Sequence, residues 1–465
     1  MPYRIERLIS FALLLLVSPA FAGDWQLSRP TGKISQSANA FTTRLRGMPN
    51  YQQRVDLEVE ETFTNETFSL RATPWAWARL PDARGALERK PRIFFEMKEG
   101  WAEYASPNFD LRIGNQIFAW GAADTINPTD VWNPRDYHDP FQSTKLPITA
   151  LRLSLHPEAT EHVAFEFIFT PFFRESTLPI ALPKTGARDF ELGSSRWLLP
   201  LPSVLSTSGL TAPLFYKVNA ATYSKSWQVG GKLKLMQLGG WDFSFTGYSG
   251  VETNPRIAIT KEGSGANPAL PVNLTLHPSF HRQTMLGFDG GGSVSVAGHD
   301  IGTRFEVAYL NHDNSRVRSM PTELQADLFR DNDLFGVAGF DYTFAHDILG
   351  TTLYLNLMYV HYQNLGATEQ APGRYTIQGL PTWQPFDDNV VAYWENRIDS
   401  KLKFSNAVIF SFKNNDGFVN PALHYDWTDN FKTQLGGELF VGSQSGFYGQ
   451  FRDNRRVNFT ASYAF

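Results

Sequence analysis

From the region of residue 34 to the last residue, apolar side chains recur at every second position in segments of roughly ten residues. Val55, Leu57 and Val59 alternate with Arg54, Asp56, Glu58 and Glu60, and Leu151, Leu153 and Leu155 alternate with Arg152, Ser154 and His156. Val163, Phe165, Phe167 and Phe169 share a face, as do Phe305, Val307 and Tyr309 between Arg304 and Glu306, and then Leu353, Leu355, Leu357 and Tyr359. The chain closes on Val457-Asn458-Phe459-Thr460-Ala461-Ser462-Tyr463-Ala464-Phe465, with its apolar and aromatic residues at odd positions. A period of two predicts strands with one apolar and one polar face, and about 9–11 residues is the length of a tilted strand that crosses a bilayer. Counting back from Phe465 predicts an all-β, antiparallel transmembrane barrel of about eighteen strands, with sixteen the alternative. The first strand is expected near Ile34 to Leu45.

The connections alternate as well. Short links rich in turn formers fall at Thr64-Asn65-Glu66, Pro107-Asn108, Pro157-Glu158-Ala159-Thr160, Gly239-Gly240, Gly298-His299-Asp300, His346 to Gly350 and Thr428-Asp429-Asn430. Glycine supplies positive φ, and Asn and Asp bond their own backbone. Between them lie longer polar stretches at 172–226, 251–280, 312–332 and 363–388. Short turns at one end and long loops at the other are the asymmetry of an outer-membrane barrel. A soluble sandwich would also alternate, but here the pattern runs along nearly the whole chain without helical segments.

The N-terminus adds a route. Arg4 and Arg7 precede the apolar run Leu8 to Val17, and Pro19-Ala20-Phe21-Ala22 supplies small residues at the cleavage position. Residues 1–22 read as a secretory signal and 23–465 as the barrel. The apolar run is too short for a membrane-spanning helix, which needs about 20 residues. Trp197 to Phe215 is broken by Pro200, Pro202 and Pro213 and reads as loop. With no globular segment ahead of the first strand, no plug is expected, so passage would be passive. Roughly eighteen strands leave an aqueous lumen rather than a filled interior.

Composition fits this picture. Of 465 residues 14% are aromatic, the material of interfacial girdles, and the mean hydropathy is −0.28. No cysteine is present, which excludes disulfides and thiolate chemistry. The formal charge of −4, or −5 without the signal, argues against a nucleic-acid partner. Strand phase turns Arg54, Glu58, Arg71, Arg112, Arg152, Lys232, Lys234, Arg304, Glu306 and Glu438 into the lumen. Charge rows of this kind set selectivity in channels or simply solvate the wall and pair with each other.

One segment stands apart. Trp120-Gly121-Ala122-Ala123-Asp124-Thr125-Ile126-Asn127-Pro128-Thr129-Asp130-Val131-Trp132-Asn133-Pro134-Arg135-Asp136-Tyr137 follows a strand expected at Phe109 to Phe118. Asn127-Pro128-Thr129-Asp130 is echoed by Asn133-Pro134-Arg135-Asp136, and each Asn-Pro unit favours a turn, so a compact loop is expected. The segment resembles the WG-x-x-D-x-x-NP-x-D-x-x-NP loop of a proteobacterial outer-membrane porin-like family, a likeness that extends to the porin group containing the alginate exporter. The resemblance implies a loop near 120–148 that folds inward and narrows the pore. Trp120, Asp124, Asn127, Asp130, Arg135 and Asp136 would then be solute contacts, together with Arg71, Arg112 and Arg152 of the wall. Two other readings stay open: a purely structural loop whose Asp and Asn cap their own turns, or a calcium site, since Asp124, Asn127, Asp130, Asn133, Asp136 and Asp139 recur at every third position.

Other signals are weaker. Basic clusters at Arg84, Arg89, Lys90 and Arg92, and at Arg452, Arg455 and Arg456, fall in expected outer loops, as solvated charge or as contacts for lipopolysaccharide phosphates. Gly287 to Gly292 lacks the ending of a phosphate loop. There is no G-x-S-x-G elbow and no HExxH pair, so neither an enzyme nor a cofactor is expected. The leading expectation is a channel for small solutes, embedded among outer-membrane lipids and compatible with a homo-oligomer. The alternatives are a barrel exporting a polymer, lipid or hydrophobic compound beside an efflux system, an outer-membrane enzyme with dispersed residues, and an adhesin using the loop at 172–226.

Overall fold

The computed structural model describes residues 25–45, 49–80, 93–157, 161–178, 187–190, 196–197, 214–219, 222–223, 227–262, 272–312, 332–344, 351–365, 374–377, 388–443 and 446–465. Alternation carries straight into strands. The first nine barrel strands are β1 (Thr31–Phe41), β2 (Tyr51–Thr64), β3 (Phe68–Leu80), β4 (Ile93–Ala105), β5 (Phe109–Gln116), β6 (Ile148–Leu155), β7 (Val163–Thr170), β8 (Gln228–Leu238) and β9 (Trp241–Val251). The second nine are β10 (Arg282–Val296), β11 (His299–His312), β12 (Asn332–Phe344), β13 (Thr352–Asn364), β14 (Asp388–Arg397), β15 (Leu402–Ser411), β16 (Asp416–Asp426), β17 (Phe431–Val441) and β18 (Arg456–Ala464). Each pairs antiparallel with the next, and β18 returns to β1 with Lys33 opposite Ala464 and Phe41 opposite Arg456. The sheet is a closed antiparallel barrel of eighteen strands, not sixteen.

Register separates the two faces. Large apolar side chains that remain exposed, such as Leu57, Phe95, Phe167, Phe245, Leu286, Leu435 and Phe459, cover the outside. The alternate positions face the lumen, and the phase-inferred charges fall there: Arg54 opposite Arg79, Arg112 opposite Arg152, Lys232 opposite Glu166, Glu306 opposite Asp289, and Arg456 opposite Glu438. The inner wall is uneven. Charged residues crowd β2 to β11, whereas the inner positions of β15 and β16 include Ser405, Ala407, Ile409, Phe418, Asn420 and Ala422.

Several boundaries differ from the expectation. The first strand ends at Phe41, short of Leu45, because the Phe41 amide bonds Asn50 O at 2.7 Å and turns the chain. A hairpin between β14 and β15 that the pattern did not announce is closed by Asp399, whose Oδ1 accepts from the amides of Lys401 (2.7 Å) and Leu402 (2.8 Å). Arg456 is not an outer-loop charge. It begins β18, points inward and is fully buried, because Glu438 and Asp139 neutralise it there. The long connections also carry structure of their own. Ala187–Phe190, Leu214–Asn219, Thr222–Tyr223, Arg256–Glu262, Val272–Phe280 and Arg374–Ile377 form a second, six-stranded sheet that includes the parallel register Leu214 opposite Val272. Pairing these stretches with one another covers edges that would otherwise be open. The signal at 1–22 and the cluster Arg84, Arg89, Lys90 and Arg92 lie outside the described residues.

Phe245 lies near the middle of β9 on the outer face, its ring stacked on Phe288 at 4.8 Å. Phe245→Arg is expected to lower unfolding stability in lipid vesicles by roughly 2–4 kcal/mol. Denaturant titration measures it, and an unchanged midpoint would mean that this face does not meet hydrocarbon.

Candidate functional site

Residues 117–147, between β5 and β6, pack along the inner wall and touch strands on all sides of it. Their first anchor is Glu306 on β11, whose carboxylate is almost fully buried. It accepts from the amides of Ala122 (3.1 Å), Ala123 (3.4 Å) and Thr129 (2.6 Å), and from the Thr129 hydroxyl (2.8 Å). Gly121, at φ 103°, sits against this carboxylate, so a side chain there would be strained and would collide with it.

The second anchor is aromatic. Trp132 is fully buried among Trp120 (5.3 Å, edge-on), Tyr248 of β9 (4.9 Å, edge-on) and Phe118 (5.8 Å). The wall makes room with Gly230 on β8, where a Cβ would stand 2.7 Å from the Trp132 ring. Further round, Ala123 and Ile126 pack on Val337, Met358, Val360 and Val391, and Phe141 meets Phe440 of β17 at 4.6 Å and Phe418 of β16 at 5.1 Å. Gln142 donates to Glu438 at 2.9 Å, and Asp139 pairs with Arg456.

The local fold follows from turn chemistry at the first Asn-Pro unit only. The Asp130 amide donates to Asn127 O at 3.1 Å, a turn with Pro128 at its second position. At the second unit Asn133 ties the neck of the segment instead. Its Oδ1 accepts from the Phe118 amide at 2.7 Å, and its Nδ2 donates to Gln116 O (3.1 Å) and Leu146 O (2.9 Å). A buried carboxamide must satisfy both its ends, and here the last residue of β5 and the two ends of the segment supply the partners. Arg135–Asp136 then pair with Thr144–Lys145 as a small ribbon.

The candidate residues fall into separate groups. Trp120 Nε1 donates to Glu166 Oε1 at 2.6 Å, Glu166 Oε2 lies 4.0 Å from Arg152, and Arg152 shares Glu103 with Arg112 at 3.8 and 2.6 Å. Trp120, Arg152 and Arg112 are thus one connected row, with the Arg112 guanidinium 3.8 Å from the centre of the Trp101 ring. Arg71 belongs to another row, between Glu60 and Glu99. Asp124 pairs with Arg304 and accepts from Asn356 at 2.8 Å. Asp130 holds Lys145 at 2.5 Å with Arg135 at 3.8 Å, and Asn127, Asp130 and Arg135 border one cavity. Asp136 is buried against His138 at 2.5 Å. Burial would raise its carboxyl, but the hydrogen bond and charge of His138, helped by Arg79, hold it well below the usual carboxylate range.

The every-third-residue spacing therefore does not converge: its four carboxylates each take a different protein side chain, Arg304, Lys145, His138 and Arg456, and Asn133 serves backbone groups. Three residues that hold the segment were not among the candidates: Glu166, Trp132 and Lys145. Of these Trp132 carried a signal, as a large aromatic residue within a connection.

No family model matches this chain, and no curated protein matches it by sequence. Solved structures do. OccAB1 of Acinetobacter baumannii shares 7% identity over 96% of this chain and 98% of that chain, with a TM-score of 0.52. OccK5 (OpdH) of Pseudomonas aeruginosa shares 9% identity over 94% of this chain and 97% of that chain, with a TM-score of 0.50. Both are outer-membrane porins. The fold is the porin fold. At this identity the likeness reaches architecture alone, so the porin fold frames the site and leaves its solute to the residues.

Glu306→Ala strands three amides and a hydroxyl of the segment. It is expected to lower barrel stability by roughly 3 kcal/mol, since hydrogen bonds to a charged group contribute about 1.5–3 kcal/mol, and to expose 117–147 to protease. Thermal melting in detergent and limited proteolysis report the two effects. Wild-type behaviour in both would remove Glu306 as the anchor.

Proposed function

We propose that this protein is a passive channel of the Gram-negative outer membrane, carrying small solutes through a lumen narrowed by residues 117–147. The observation that carries the reading is a wide closed barrel with an apolar exterior and a segment fastened by buried contacts to opposite sides of its interior. A fold of this kind needs no partner to cross a bilayer. Residues 1–22 would direct export and be removed, the short turns and both termini would face the periplasm, and the long connections with their small sheet would face outward.

In this reading the segment sets the constriction. Asp124, Asn127, Asp130 and Arg135 border the solute path, Trp120 and Asp136 hold the segment in place, and Arg71, Arg112 and Arg152 line the wall. Each of the three wall arginines is matched by a carboxylate, so the wall offers paired charges and oriented dipoles more than a single-sign field. Such a lumen favours small polar and amphipathic solutes over bare ions of one sign. No nucleophile, metal cluster or cofactor cradle enters the proposal.

Purified barrel in planar bilayers is expected to give ionic current in discrete steps. Replacing residues 121–131 by a short Gly-Ser linker should raise the step size, because the narrowest section then widens. A refolded barrel that carries no current would refute the channel. Equal step size in the replaced variant would leave the channel but remove the segment as its constriction.

A further inference from the structure

Beside the segment lies a cavity of about 350 Å³ with a mixed lining. Its apolar part includes Phe141 of the segment with Phe335, Ile409, Phe418 and Phe447. Its charged and amide groups are those of Asn127, Asp130 and Arg135. We propose that this cavity is a subsite for a compact ring-bearing solute with a single hydrogen-bond-accepting head group, resting on the channel reading above and naming the solute class of that same constriction.

Size and lining both select. Pockets of roughly 300–1,000 Å³ accommodate small organic molecules, and aromatic walls take ring faces in stacked or edge-on contact. Within a water-filled barrel, five large apolar side chains around one space form surface that water solvates poorly and an apolar body would cover. Thr125, Tyr137, Ser143 and Tyr448 also border the cavity, but hydroxyls of a sugar that lie against the four Phe and one Ile find no partner there. A cation is opposed by the charges of the polar lining. Lys145 sits 2.5 Å from Asp130 and answers its charge, while Arg135 stands 3.8 Å from the same oxygen, beyond hydrogen-bonding distance. The Arg135 guanidinium is also the most exposed of the three, at 37%. Its unused N–H donors face the requirement of an acceptor, whether the carbonyl of a neutral molecule or the carboxylate of an anion.

The test uses the full barrel in planar bilayers with three probes: acetophenone as the neutral ring, benzoate as the anionic ring and arabinose as a ringless polyol. Acetophenone and benzoate are expected to reduce ionic current saturably, and arabinose at the same concentration to leave it unchanged. Ile409→Asn should weaken both blocks roughly threefold to tenfold, equivalent to about 0.7–1.4 kcal/mol for the lost apolar contact. Arg135→Gln should weaken the benzoate block more than the acetophenone block. Heat-modifiable migration on gels checks that each variant is folded. Equal block by all three probes, or ring block untouched by both substitutions, overturns the subsite while leaving the channel standing. If the barrel carries no current, the channel reading fails by itself. Calorimetric titration of the detergent-solubilised barrel with the same probes then decides the subsite: saturable ring binding weakened by Ile409→Asn sustains it, and its absence overturns it.

Discussion

Hydrocarbon offers no hydrogen bonds, so every backbone amide and carbonyl that enters it must find a partner within the chain, each failure costing several kcal/mol. The ring of pairings from β1 through β18 and back to β1 meets that demand. Other features follow from it. Alternate side chains must be apolar because one face of a closed sheet has no protein beside it. The opposite face cannot be, because eighteen strands enclose more space than their side chains fill. The interior is therefore an aqueous surface on which charges must be matched, and the row Trp120, Glu166, Arg152, Glu103 and Arg112 is one solution.

Within that interior the segment 117–147 behaves as a detached piece of core. It places apolar rings against the few wall positions that are apolar or bare, such as Gly230, Ile168 and Met285 on one side and Phe418 and Phe440 on the other. It answers buried wall charges as well. Glu306 takes its hydrogen bonds from three backbone amides and the Thr129 hydroxyl of the segment, and Arg456 is shared between Glu438 of the wall and Asp139 of the segment. A buried ion left without its partner costs far more than the paired arrangement contributes. Wall and segment therefore answer each other's charges where they meet.

Much of this was legible in the chain. The barrel and its strand number came from period-two alternation, because a single physical cause, one apolar face, writes itself on every strand. Residues such as Arg112 and Glu306 were placed on the inner face by the same phase. The errors have equally local causes. Ile257 and Ile259, with Val272 and Leu274, alternate as barrel strands do, but they sit in a long proline-containing connection, and their small sheet pairs across sequence gaps that no pattern encodes. Arg456 beside Arg452 and Arg455 looked like a solvated cluster, and only the register with Glu438 shows that it turns inward. Asn133 opens the same Asn-Pro unit as Asn127 yet ties the two ends of the segment together, because its neighbours in space are Gln116 and Leu146. Glu306 as an anchor was out of reach, since the amides it binds lie more than 170 residues earlier in the chain.

The seam between the first and last strands has a bearing on assembly. Gly32 and Phe465 exchange backbone hydrogen bonds at 2.9 and 3.0 Å, so the final residue clasps the start of the first strand. Neighbouring hairpins can zip together from purely local encounters, but this join must wait for two ends separated by almost the entire length of the polypeptide to meet. Until then the sheet is an open ribbon with two hungry margins, each able to recruit a foreign strand. Of all the joins in the barrel, the seam between β1 and β18 therefore closes the longest loop of chain and carries the largest entropic cost.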